Sequence, residues 1–132
     1  MRRTMLMLML LLLAMPVSAQ DAREGRRLYE LYCAACHGAG ADGRGPMRPV
    51  LIVPPADLTR LDKGDGAGFP LERVIRRIDG RDPLVAHGSE MPVYGDFFEG
   101  RPAQIAVPGA ARVETSSPVA NLVAYLLRLQ QP

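Results

Sequence analysis

Tryptophan is absent from this 132-residue chain and phenylalanine occurs only three times, so the bulky groups that fill the interior of most small domains are scarce. Cysteine is almost absent as well. Cys33 and Cys36 are the only two, and a disulfide between them would close too small a loop to constrain much of the unfolded chain. Glycine (13) and proline (12) are abundant by contrast. The length suits one domain, and there are no internal repeats and no low-complexity tail. A single small domain with so thin an apolar core needs a staple beyond its own side chains.

An excess of charge of one sign is also missing. The formal net charge of +2 rests on Arg2 and Arg3, which precede an uncharged apolar run from Met5 to Met15, a break at Pro16, and the small residues Val17, Ser18 and Ala19. That order is the n-region, h-region and cleavage site of a secretory signal. Without those two arginines, 14 basic side chains face 14 acidic ones, which gives no reason to expect nucleic acid or an acidic membrane as a partner. The apolar run is shorter than the roughly 20 residues a membrane span requires, and no cysteine follows it to accept a lipid. The expectation is a signal peptide over residues 1–19, cleaved after Ala19, and a periplasmic domain over 20–132 with no membrane span.

Three helical patterns stand out. Asp21 is placed to cap a helix over Ala22 to Ala35, with Glu24 completing a capping-box pair and Leu28, Leu31, Tyr32 and Ala35 on one face. Pro70 opens a second, in which Leu71, Val74, Ile75 and Ile78 share a face before Gly80 stops it. Ser117 and Pro118 open a third, to about Gln130, with Val119, Leu122, Val123, Leu126 and Leu129 as its buried stripe. Residues 38–55 carry Gly38, Gly40, Gly43 and Gly45, too many breakers for regular structure. Residues 82–116 show no long periodicity, with room for one helical turn near Asp96 to Glu99. Loops this long in a small domain usually serve a function. A flat cofactor between two wrapping loops accounts for both.

Cys33-Ala34-Ala35-Cys36-His37 is the attachment pattern for haem c. Cysteines three apart on a helical turn lie on one side and can form thioethers to the two vinyl groups of a porphyrin edge, and His37 then falls beneath the iron. Burial of a few hundred Å² of apolar porphyrin, at about 25 cal/mol per Å², gives on the order of 10 kcal/mol as an upper estimate. That is the missing staple. Two rival readings use the same cysteines: a thioredoxin-like pair, which expects a preceding strand and a parallel sheet, and a zinc site, which needs four ligands. For the second axial position the candidates are Met91, His87 and Met47. Met91-Pro92 lies where the chain can cross to the other porphyrin face, and a thioether there favours Fe(II) and raises the potential. His87 would lower it, and Met47, in the loop leaving the proximal histidine, ranks last of the three.

Taken in order, the CxxCH motif, the glycine-rich loop ending Gly45-Pro46, the distal Met91-Pro92, and terminal helices bearing Gly25 with Tyr29 and Tyr125 with Leu126 resemble a class I mono-haem cytochrome c. The resemblance implies an all-α fold, three or more helices with long loops round one covalent haem, whose first and last helices cross near Gly25 and Tyr125. It implies that the carbonyl of Pro46 accepts the second ring nitrogen of His37. The function expected is one-electron transfer, not enzymatic catalysis, with redox proteins docking transiently at the haem edge near Cys33 and Cys36. Arg44, Arg48 and Arg60 are candidates to pair with propionates. Two further readings stay open: a haem subunit of a dehydrogenase or reductase complex, and a gas-binding haem protein with a labile distal ligand.

Overall fold

The computed structural model describes residues 20–62, 68–82, 91–107, 109 and 111–131; the expected signal peptide and His87 lie outside them. Its elements in chain order are α1 (Ala22–Tyr32), α2 (Ala34–His37), two 3₁₀ turns (Arg48–Val50 and Leu58–Arg60), α3 (Leu71–Asp79), β1 (Pro102–Ile105), β2 (Val113–Ser116) and α4 (Ser117–Leu129).

The start of α1 follows from Asp21, whose carboxylate accepts from the backbone N–H groups of Arg23 (2.8 Å) and Glu24 (3.4 Å), satisfying donors that the first turn leaves without partners. The expected capping box is not completed. Glu24 turns outward to Arg27 (Oε2 to Nε, 2.9 Å), and the N–H of Asp21 instead donates to Asn121 Oδ1 of α4 at 2.8 Å. The helix start is therefore tied to the last helix. Its buried face is Ala22, Gly25, Leu28 and Tyr29, whereas Leu31 and Tyr32, expected on that face, are exposed.

Gly25 explains the rotation. A Cβ built there would lie 1.9 Å from the backbone oxygen of Asn121 and 3.0 Å from Tyr125 Cβ, so α1 and α4 meet backbone to backbone at the residue that has no side chain in the way. Their contact is the most extensive between any two elements, and Tyr29 and Tyr125 pack just beside it with ring centroids 5.4 Å apart. Gly25→Ala is expected to cost about 1–3 kcal/mol or more, the range for overpacking a well-filled site, read as a lowered denaturation midpoint of the holoprotein.

Across this pair lies α3, with Leu71, Val74, Ile75 and Ile78 all buried as the periodicity predicts. They share one core with Val119, Leu122, Val123 and Leu126 of α4 and with Phe98 and Ile105. Gly80 ends α3 at φ 83°, the left-handed conformation glycine adopts without steric cost.

The described part of residues 82–116 departs from expectation in one respect. The helical turn is present, with Phe98 N–H bonded to Tyr94 O at 2.7 Å. Beyond it, however, β1 and β2 pair antiparallel, Pro102 opposite Ser116 and Ile105 opposite Val113, so the fold is mostly helical and not all-α. Each strand has only four residues, too few for alternation to register as a pattern. Ile105 anchors the hairpin in the core. The carbonyls of Gln104 and Glu114 take side-chain donors from Gln20 (2.9 Å) and Arg81 (3.1 Å).

Candidate cofactor site

α1 breaks at Cys33, and the next turn is the CxxCH segment itself. Cys36 and His37 both donate their backbone N–H groups to Cys33 O (3.1 and 2.9 Å), and Gly38 donates to Ala34 O (2.9 Å) before turning away at φ 86°. The two cysteines are free thiols, both half-buried. Burial, and after it the neighbouring Cys36, pushes the Cys33 thiol up to about 11. Redox-active CxxC pairs depend on a lowered thiol pKa, so this environment is the opposite of a thioredoxin-like one. No parallel sheet surrounds the motif among the described residues, and no group of three His, Cys, Asp or Glu side chains there could hold a metal ion as a zinc site would.

His37 is buried, and its Nδ1 lies 3.0 Å from the carbonyl oxygen of Ala56. A carbonyl can only accept, so Nδ1 carries a proton, and in the neutral imidazole Nε2 keeps its lone pair. This is the tautomer a metal-binding imidazole requires, with its second nitrogen held as such ligands usually are.

The loop that follows is sewn to the CxxCH turn. Gly43 donates to His37 O (2.9 Å), Gly45 to Cys36 O (3.1 Å) and Met47 to Ala35 O (2.9 Å). Gly45 is required for that approach, because a Cβ there would sit 2.4 Å from Ala35 O. The resemblance placed the carbonyl of Pro46 against His37; the structure places Ala56 there. The backbone on either side of Pro46 is occupied in pairing with Ala35 and Cys36, and Pro46 itself is exposed. The chain reaches the imidazole only after the turn at Arg48–Val50. On that outward arc Val50, Ile52 and Val53 are 71, 91 and 65% exposed, a density of exposed apolar side chains that a flat apolar group seated beside the loop would cover. The chemistry of the donor set and this uncovered arc both fit haem c.

Met91, the candidate for the second axial position, is half-buried and packs against the same core as Cys33, Ala34 and Leu58. After Pro92, Val93 seats against Gly80, where a Cβ would lie 2.2 Å from Val93 Cγ1. Tyr94 then donates its N–H to Ile78 O (2.8 Å) and its hydroxyl to Tyr32 O (3.0 Å). Burial, followed by the nearby Cys33 and Cys36, raises the Tyr94 phenol above its ordinary value. Met47, by contrast, belongs to the proximal loop. Of the three arginines considered for propionates, Arg44 lies 3.8 Å from Asp42, and Arg48 and Arg60 are exposed.

Sequence reasoning missed the support behind Ala56. Asp57 Oδ1 accepts from Thr59 N (2.9 Å) and Thr59 Oγ1 (2.6 Å), and these bonds hold its carboxyl below the usual range. Gln130 buckles the end of α4 to this turn, donating to Leu58 O (2.8 Å) and accepting from Leu61 N (2.9 Å). The Asp-x-Thr spacing of Asp57 and Thr59 is a recognisable side-chain-to-backbone turn signal; Gln130 offers no comparable one.

A mostly helical domain with crossed terminal helices, a CxxCH turn and a tautomer-fixed histidine defines a c-type cytochrome, a haem-based electron carrier. The family described as "Cytochrome C oxidase, cbb3-type, subunit III" matches residues 20–106, and the chain belongs to it. Over 92 residues, 62% of the chain, it is 30% identical to the polyvinylalcohol dehydrogenase of Sphingopyxis sp. (strain 113P3), and it spans 14% of that relative's length. No solved structure matches the chain significantly.

Proposed function

We propose that this chain is an exported single-electron shuttle in which Cys33 and Cys36 hold one haem c through two thioethers and His37 and Met91 are the axial ligands. The observation that carries this reading is the His37–Ala56 hydrogen bond, which puts the proton on Nδ1 and so supports Nε2 as a metal ligand. Haem, when bound, supplies a one-electron Fe(II)/Fe(III) couple. The protein's part is to orient and to tune. Ala56 holds the imidazole proton on Nδ1. Met91 offers a soft thioether that favours the reduced state. With both axial positions filled, no substrate coordinates iron, and partners dock transiently at the edge beside Cys33 and Cys36.

Export rests on the signal pattern of residues 1–19, with 20–132 as the mature domain; the family match also begins at residue 20. No helix among the described residues is long and apolar enough to cross a membrane. Expression with the native leader and recovery from the periplasm is expected to yield a polypeptide that starts at Gln20 and keeps its haem stain after denaturation. Recovery from the cytoplasm with residues 1–19 still present would contradict export.

A second reading is favoured by the similarity to a dehydrogenase: the chain as a haem unit that takes electrons from a dehydrogenase in a stable complex. Purification under native conditions separates the two. The shuttle is expected as a haem protein of its own size, and a stoichiometric dehydrogenase partner that survives high salt would establish the complex.

A further inference from the structure

Tyr94 is held from three directions. Its N–H is bonded to Ile78 O at the end of α3 (2.8 Å), its ring stacks on Phe98 with centroids 5.0 Å apart and planes 21° apart, and its hydroxyl donates to Tyr32 O (3.0 Å). Tyr32 is the last residue of α1 and directly precedes Cys33. The hydroxyl thus joins the segment bearing Met91, three residues upstream, to the turn bearing both cysteines. The intervening chain has little slack, because Pro92 fixes its own φ and Val93 is seated in the space that Gly80 leaves open.

We propose that the Tyr94 hydroxyl is a positioning clasp that sets how firmly Met91 is held on the iron, and thereby how accessible the sixth position is to small neutral ligands. The proposal rests on the reading of Met91 as distal ligand. Tyr94 acts through the backbone, as a positioning residue. In the closed state the hydroxyl bond is made; in the open state, with Met91 displaced, it is lost. Removing the hydroxyl removes a preference for the closed state. The net contribution of a neutral hydrogen bond, about 1 kcal/mol, corresponds to about a fivefold rise in the open population. The bond lies in an exposed setting, so water can satisfy the Tyr32 carbonyl afterwards and the fold survives.

The test is carbon monoxide association with the reduced holoprotein, followed in wild type and in Tyr94→Phe, Tyr29→Phe and Met91→Ala, with thermal unfolding measured for each. Tyr29→Phe removes the same kind of bond, from a buried core hydroxyl to Gly38 O. Tyr94→Phe is expected to raise the association rate about fivefold. Tyr29→Phe should stay near wild type although its stability falls at least as far, and Met91→Ala should be fully open. If Met91→Ala opens the site and Tyr94→Phe binds no faster than wild type, the clasp is overturned and the ligand reading stands. If Tyr29→Phe opens the site as much as Tyr94→Phe, the effect is general loosening and the clasp is likewise overturned. A closed Met91→Ala variant would sink the ligand reading and the clasp with it.

Discussion

Cys36→Ala is expected to reduce or abolish the covalent haem stain and to leave a largely unfolded chain. The domain's own core is small: α1 buries Ala22, Gly25, Leu28 and Tyr29, and two of the three phenylalanines contribute little or lie at the edge, Phe97 being 60% exposed. Haem burial of about 10 kcal/mol, taken as an upper estimate, is as large as the whole stability of a typical small domain. Loss of one thioether weakens the attachment that keeps that surface in place. The exposed arc at Val50, Ile52 and Val53 then faces water. The measurement is haem staining of the denatured variant beside far-ultraviolet circular dichroism of the native preparation. A normal yield of stained, stably folded protein would contradict the attachment role of Cys36.

Met91→Ala is the second large change expected. Haem should remain attached, since Cys33, Cys36 and His37 are untouched, and the sixth position should open. Carbon monoxide then binds the reduced form without first displacing a ligand. The potential should fall by on the order of 100 mV, a modest part of the roughly 0.8 V over which axial ligation tunes haem. A six-coordinate, low-spin variant with unchanged potential would exclude Met91 and pass the role to His87.

The parts of the fold that were legible in the sequence are those set by local periodicity. Periodicity gives the stripe of α3 residue for residue, and the last helix begins at Ser117, the residue expected to cap it, with Ser116 as its cap and Pro118 in its first turn. Periodicity misplaces the face of α1 because it ranks side chains by size, while the contact is decided by the absence of one at Gly25, where the family resemblance, not the periodicity, put the helix crossing. The hairpin escaped because four-residue strands carry too little pattern, and Pro102 and the glycines around it read as loop punctuation. In the site, Cys33, Cys36 and His37 announce themselves by spacing. Ala56 does not: its contribution is a backbone carbonyl, which any residue supplies, and only the path of the loop decides which one reaches the imidazole. Tyr94 was equally hidden, because its hydroxyl bond to Tyr32 O spans 62 positions of the chain.

The most direct test of the central claim is an optical spectrum of the purified protein in three states: oxidised, reduced, and reduced under carbon monoxide. His37 and Met91 as joint ligands predict the weak red-end band that methionine sulfur gives ferric haem, and a reduced spectrum that carbon monoxide leaves nearly unchanged. Absence of that band, together with a full carbon monoxide shift in the wild-type protein, would mean an open sixth position and would contradict the electron-shuttle reading in favour of a gas-binding one.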